Sequence, residues 1–304
     1  MRKTLSDSLV ALGKKDPNVI LLTGDHGYSL FDDYRIECPD QYINAGVAEQ
    51  NMVGLAAGLA RSGFKPIVYG LSAFIPIRVL EQIKLDVAYD SLPVIFIGDG
   101  AGFVYSYLGM THQSTEDIAC TRSVPNLSVY SPADRFELEQ CLNIAYKDRS
   151  PVYLRLGKAD LGDLHCSLPN FNLGDLIALR QNNSKYSLIS TGSMLSTAVK
   201  ISDELNVDVD VWSVPFIKPI NLSMVKSICR RSRAIIVLEE HSKFGGLGSV
   251  IAEISSASCP VKILQISVND CFSEKCGSYD YLLKQHKLDY KSIYKNIFNF
   301  LQGF

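Results

Sequence analysis

The chain has 304 residues, 47% hydrophobic and 20% charged, with 30 Lys and Arg against 32 Asp and Glu for a net charge of −2. That length suffices for two domains, each able to bury its own core without disulfide or metal staples. The near-neutral balance excludes an acidic tail protein, and the densest basic cluster, Arg230, Arg231 and Arg233, offers no stripe of cations to track a nucleic-acid backbone.

Short apolar runs rich in β-branched residues, at 19–23, 66–71, 93–97, 127–130 and 152–156, predict buried strands. Helical spacing fills the gaps at 48–61, 77–89 and 134–147, the last opened by Ser131-Pro132-Ala133-Asp134 as a start signal. Strand alternating with helix predicts a parallel sheet covered on both faces. Residues 158–173 lose this rhythm, and their glycines, asparagines and Pro169 read as a connector. A first domain is therefore expected over 1–165 and a second, smaller one over 170–304. In the second, strands are expected at 177–179, 186–190, 209–214, 234–238 and 261–266, and 279–304 reads as one or two amphipathic helices. The predicted fold class is α/β, two domains with mainly parallel sheets.

The eight cysteines include no Cys-x-x-Cys pair, and the first sixteen residues lack an apolar core of the kind a signal peptide needs. No apolar run approaches the ~20 residues that span a bilayer. The expectation is a cytoplasmic protein with reduced thiols, binding neither nucleic acid nor membrane. With five histidines and no His-Glu-x-x-His or Cys/His cluster, a metal site built by this chain is not expected.

Chemistry concentrates at 42–60, where a turn ends at Gly46 and Glu49 stands in the first turn of a helix of small and apolar residues. No charge occurs from Met52 to Ala60, which predicts a buried helix with an acid at its mouth. The plain reading of Glu49 is a carboxylate complementing the helix dipole, worth about 0.3–1 kcal/mol. This stretch, however, resembles the pyrimidine-binding segment of the transketolase family of thiamine diphosphate enzymes. Further segments similar to that family follow in register: Arg2-Lys3-Thr4-Leu5-Ser6, Gly24-Asp25-His26-Gly27, Thr111-His112-Gln113 with Glu116, and Arg122-Ser123-Val124-Pro125-Asn126-Leu127. In the second half Ser190-Thr191-Gly192-Ser193, Lys218-Pro219-Ile220, Glu239-Glu240-His241 and Gly245-Gly246-Leu247-Gly248 resemble its C-terminal domain.

The resemblance implies a pyrimidine-binding domain followed by a transketolase C-terminal domain, and ketol transfer from a ketose donor to an aldehyde acceptor. It implies Glu49 and His112 as catalytic residues. Asp25, Glu49, Phe74 and Arg78 would bind thiamine diphosphate, and His26, His112, Arg2 and Lys158 would meet substrate. The cofactor supplies a carbanion at its thiazolium, and a carboxyl hydrogen-bonded to its aminopyrimidine favours the form that takes up the proton. Single-chain members carry an extra N-terminal domain that holds the diphosphate and Mg²⁺ through Gly-Asp-Gly and a later Asn. Here a separate N-terminal subunit is expected to supply it, in a heterotetramer of two plus two. Gly98-Asp99-Gly100 and Asn126 imitate that motif, but they lie inside the region matched to the pyrimidine domain.

Three departures concern substrate: Leu108 stands where sugar-phosphate transketolases have an aspartate, Gly98 where they have a histidine, and residues 103–107 are longer and more aromatic. Together they predict an apolar wall around a buried Leu108, suited to a deoxy, nucleotide-linked or otherwise modified sugar. Two alternatives remain. One is an E1 β subunit or a deoxyxylulose-phosphate synthase type enzyme using a 2-oxo acid donor. The other is a non-catalytic nucleotide- or flavin-binding electron-transfer subunit, suggested by the glycines at 98–100 and 245–248. The latter run could present N–H groups to an anion, or form a tight turn that allows close packing on the neighbouring domain.

Overall fold

The computed structural model describes residues 1–303. Its strands are β1 Val19–Thr23, β2 Tyr42–Asn44, β3 Lys65–Leu71, β4 Ile95–Asp99, β5 Ser128–Tyr130 and β6 Val152–Leu156, then β7 Ile177–Arg180, β8 Tyr186–Ser190, β9 Asp210–Ser213, β10 Phe216–Lys218, β11 Ala234–Ser242 and β12 Lys262–Val268. They form a seven-stranded sheet in the order β10-β5-β6-β4-β3-β1-β2 and a five-stranded sheet in the order β12-β11-β8-β9-β7. Each sheet is parallel except for one edge, β10 against β5 and β7 against β9. The two mainly parallel α/β domains read from the sequence are thus present. β1, β4 and β6 are buried at every position, Asp99 and Arg155 included, as strands must be when helices cover both faces.

Three elements differ from expectation. β10 lies in the second half of the chain yet pairs with the first sheet, Phe216 opposite Tyr130 and Lys218 opposite Val129. The stretch read as a helix over 77–89 is instead a 3₁₀ turn at Ile77–Val79, one α turn at Leu80–Gln82 and a π-helical stretch at Ile83–Ala88. The helix Glu49–Arg61 buries one face, Met52, Val53, Ala56, Ala57 and Ala60, and leaves Asn51, Gly54, Leu55 and Gly58 exposed. Lack of charge from 52 to 60 therefore marked a helix whose outer face carries no charged side chain there, and that face stays uncovered within this chain.

A buried ion pair marks the contact between domains. On β6, Arg155 is 2% exposed and donates through Nε to Asp117 Oδ2 at 2.8 Å and through Nη2 to the Glu240 carbonyl of β11 at 2.7 Å. Tyr153 adds an O–H to the same Asp117 oxygen at 2.7 Å.

Asp134 ties the connector to the first domain. Its Oδ1 accepts from the amides of Phe136 and Glu137, capping the helix Arg135–Asp148, and its Oδ2 accepts from the amides of Leu164 and His165 and contacts His165 Nδ1 at 2.9 Å. Burial pushes this carboxyl up, but the His165 ring and the three amides of Glu137, Leu164 and His165 outweigh it and hold it down at about 2. A depressed carboxylate stabilises the fold fully above its ordinary 3.8, and that contribution is lost as pH falls through about 2. Asp134→Ala is accordingly expected to cost about 2 kcal/mol at neutral pH. In urea titrations at stepped pH the deficit should shrink on acidification through this window; a deficit constant with pH would show that the charge is not its source.

Candidate active site

β1 delivers Gly24, Asp25 and His26 to the carboxyl end of the first sheet, the end at which α/β proteins bind ligands. β2 ends at Asn44, whose Oδ1 accepts from the Gly46 amide at 2.9 Å, and Gly46 adopts a φ of 71° that suits a residue without a side chain. This turn feeds the helix Glu49–Arg61 and sets Glu49 as its first residue, only 5% exposed at its side chain.

Around Glu49 the chain assembles four further groups. Arg78 Nη1 donates to Glu49 Oε1 at 3.0 Å, and the same guanidinium lies 4.0 Å over the Phe74 ring. His112 meets Phe74 edge to face at 5.2 Å, and the His26 ring is tilted 6.1 Å from it. His26 Nε2 is buried without a hydrogen-bond partner, 3.9 Å from Glu49 Oε1. Among the described residues, no hydrogen bond reaches Glu49 Oε2. A buried carboxyl with one free oxygen, beside an aromatic ring and an unpartnered imidazole nitrogen, can receive a flat nitrogen heterocycle and share a proton with it.

The remaining residues singled out from the sequence are placed differently. Asp25 is exposed and accepts from the Tyr28 hydroxyl at 2.6 Å, in a hollow it lines with Arg35, Tyr42 and Asn44. Arg2 lies 3.7 Å from Asp99 Oδ2, an oxygen that also accepts from Tyr69 at 2.8 Å and Tyr105 at 3.1 Å. Lys158 pairs with Asp160 at 2.8 Å and lines a cleft of about 660 Å³ with Tyr107, Ser193 and Tyr279. Neither Arg2 nor Lys158 contacts the group around Glu49.

Gly98 and Gly100 answer to packing. A Cβ on Gly98 would stand 2.6 Å from the Tyr153 hydroxyl and 2.9 Å from the Ile75 carbonyl, so a side chain the size of histidine has no room there. One on Gly100 would strike the Tyr105 ring at 2.0 Å. Asp99 serves Arg2 and two tyrosines, while Asn126 donates to the Ala88 carbonyl at 3.1 Å. Among the described residues no group of His, Cys, Asp or Glu could hold a metal ion.

Leu108 is 57% exposed, which corrects the expectation of a buried leucine. The expected aromatic wall is also smaller: Phe103 is buried, Tyr105 is bonded to Asp99, and only Tyr107, with Leu108 and Met110, stands free. At the 245–248 turn, Glu239 occupies the N-terminus of the helix Leu247–Ser258, accepting from the Leu247 and Gly248 amides at 2.7 and 2.8 Å. An added anion would meet that carboxylate. Gly245 packs where a Cβ would come within 2.6 Å of Ala119 in the first domain, as a close-packing turn requires. The buried Asp117, Arg155 and Glu240 were not singled out for any role from sequence, although two adjacent carboxylates inside the apolar strand β11 are a visible anomaly.

Among the described residues no helix is long and apolar enough to cross a membrane. Residues 1–163 match the pyrimidine binding domain of transketolase, and residues 175–293 match the transketolase C-terminal domain. The 6-deoxy-6-sulfo-D-fructose transketolase subunit SqwH of Clostridium sp. (strain MSTE9) is 33% identical over 96% of this chain and 92% of its own length. The 1-deoxy-D-xylulose-5-phosphate synthase of Pasteurella multocida (strain Pm70) is 33% identical over 98% of this chain, which spans 48% of that enzyme. A solved structure described as a split gene transketolase, inactive beta4 tetramer, superposes with a TM-score of 0.87 at 28% identity, over 97% of this chain and 95% of that one. With both domains matched in order and the Glu49 site at the sheet end, this chain belongs to the transketolase family.

Proposed function

We propose that this chain is the pyrimidine-binding and C-terminal subunit of a split, thiamine diphosphate-dependent transketolase that moves a ketol unit between sugars. The observation that carries the reading is Glu49: buried, fixed through one oxygen by Arg78, and next to the unpartnered nitrogen of His26. The residues present fit the aminopyrimidine end of the cofactor, with Glu49 meeting a ring nitrogen, Phe74 offering its face and Arg78 bracing both. Bound there, thiamine diphosphate supplies the carbanion chemistry. Glu49 holds a proton against the ring nitrogen, and His112 and His26 exchange protons or hydrogen bonds with the sugar hydroxyls, as imidazoles can near neutral pH. Asp25 serves the cofactor from its exposed position, and Arg2 and Lys158 serve the far end of a substrate.

A separate subunit brings the diphosphate clamp and Mg²⁺, since Asp99 and Asn126 are committed elsewhere. The open face of the helix Glu49–Arg61, apolar at Leu55 and free of side chains at Gly54 and Gly58, supports such a partner, in an assembly of two plus two. A cytoplasmic setting suits the eight free cysteines. For substrate we favour a modified sugar: a relative is named for 6-deoxy-6-sulfo-D-fructose, and Leu108 offers a sugar hydroxyl no partner. The second reading, a 2-oxo acid donor, is favoured by the synthase relative.

The test mixes the chain with its partner subunit, thiamine diphosphate and Mg²⁺, and compares xylulose 5-phosphate, fructose 6-phosphate, 6-deoxy-6-sulfo-D-fructose and pyruvate as donors. Transfer is expected only after mixing, with the modified sugar ahead. Leu108→Asp is expected to raise kcat/KM for xylulose 5-phosphate about tenfold, because a hydrogen bond from a sugar hydroxyl to a charged carboxylate is worth about 1.5–3 kcal/mol. Turnover by the isolated chain would sink the split-enzyme reading, and consumption of pyruvate in place of the ketoses would establish the second.

A further inference from the structure

The segment between Gly102 and Ser114 leaves the first sheet and returns, closed at its neck by Gly102 N to Ser114 O at 2.7 Å and Ser114 N to Gly102 O at 3.0 Å. It carries Leu108 and brings His112 against Phe74. Much of what holds it comes from the other domain. The Phe103 ring lies on the His286 ring, centroids 4.7 Å apart and planes 18° from parallel, and the Phe103 amide donates to Glu240 Oε1 at 2.6 Å. The Ser273 hydroxyl lies 2.7 Å from Gln113 Oε1 and 2.9 Å from His286 Nε2.

With Gln113 Oε1 facing Ser273, the single serine proton goes to Gln113, which leaves the Ser273 oxygen to accept from His286 Nε2. Burial pushes the His286 pKa down, which keeps the ring neutral. His286 is 6% exposed and Gln113 is buried as well, so the relay sits where lost hydrogen bonds are expensive. None of its members touches Glu49 or Phe74, but Gln113 is the chain neighbour of His112.

We propose that Ser273 and His286 of the C-terminal domain are positioning residues for the loop 103–113, holding His112 against Phe74 through Gln113 and so setting sugar binding from the second domain. The proposal rests on the transketolase reading of the site only for its effect on substrate. A loop tied at its neck and by short turns drifts when its far support is removed, and a displacement of about 1 Å can cost about 10²-fold in rate.

Three variants test it: Ser273→Ala deletes the relay, His286→Phe keeps a stacked ring without the donor, and Ser273→Thr keeps a hydroxyl. Amide hydrogen exchange on the isolated chain reads the loop directly through the Leu108, Gly109 and His112 amides, each hydrogen-bonded within the loop. In the assembled complex, sugar KM, kcat and the Kd of thiamine diphosphate read the consequence. For Ser273→Ala and His286→Phe we expect exchange at those amides to accelerate about tenfold or more and sugar KM to rise about tenfold, with cofactor Kd within about twofold, while Ser273→Thr stays near the parent. Unchanged loop exchange in both deleting variants overturns the proposal, as does a loss of cofactor and sugar affinity in parallel with Tm. Faster exchange in both deleting variants, beside a parent complex that itself transfers no ketol unit, would leave the clamp standing and refute the transketolase reading instead.

Discussion

Glu49→Gln is expected to lower ketol transfer by the assembled complex about 10²–10⁴-fold, the usual loss when a positioned acid-base group is removed. Glutamine keeps the shape and can still accept from Arg78 Nη1, which lies 3.0 Å from Oε1. It cannot share a proton with a heterocycle nitrogen. The effect should therefore fall on turnover, with thermal unfolding of the isolated chain close to the parent. Single-turnover transfer rates and melting curves measured side by side separate the two. Near-parental turnover would remove Glu49 from the mechanism, and a collapse in Tm would make it a structural residue of the helix Glu49–Arg61.

The largest stability effect is expected at Arg155. Arg155→Met fills much of the same volume but leaves Asp117, wholly buried and with Oδ1 already unpartnered, without its counter-charge. Removing one member of a buried pair costs about 3–5 kcal/mol, because the partner's charge stays desolvated. The variant also loses the donor to the Glu240 carbonyl that links the two domains. Adding Asp117→Asn should recover part of the loss, which a double-mutant cycle in urea measures. A single-variant loss below about 1 kcal/mol would show that the pair contributes little beyond the packing around it.

The strands were legible because β1, β4 and β6 are short, mostly apolar runs bounded by turn residues, as strands buried on both faces are. β2 and β10 have three residues each, too few for any period to register. The cluster of Glu49, Phe74, Arg78, His26 and His112 was legible through family resemblance, and the structure brings these five together. The contact of Arg2 with Asp99 was not legible, since Asp99 is the centre of a tyrosine network that spacing does not reveal. Leu108 was misjudged as buried because an aromatic run reads the same whether its rings pack inward, as Phe103 does, or stand in solvent, as Tyr107 does. The relay from His286 to Gln113 joins residues far apart in the chain, and such a contact exists only once both sheets are in place.

β10 bears on how the molecule is made. The first sheet has as its outer strand a segment, Phe216–Lys218, that follows β7, β8 and β9 of the other sheet. On a ribosome the amino-terminal half emerges complete in its own helices yet still lacks that strand, so β5 presents an unpaired rim while the next domain is being synthesised. The two halves are therefore interlaced during synthesis as well as in the finished fold. A fragment ending in the connector would keep the Glu49 site and carry a bare sheet edge able to recruit another chain.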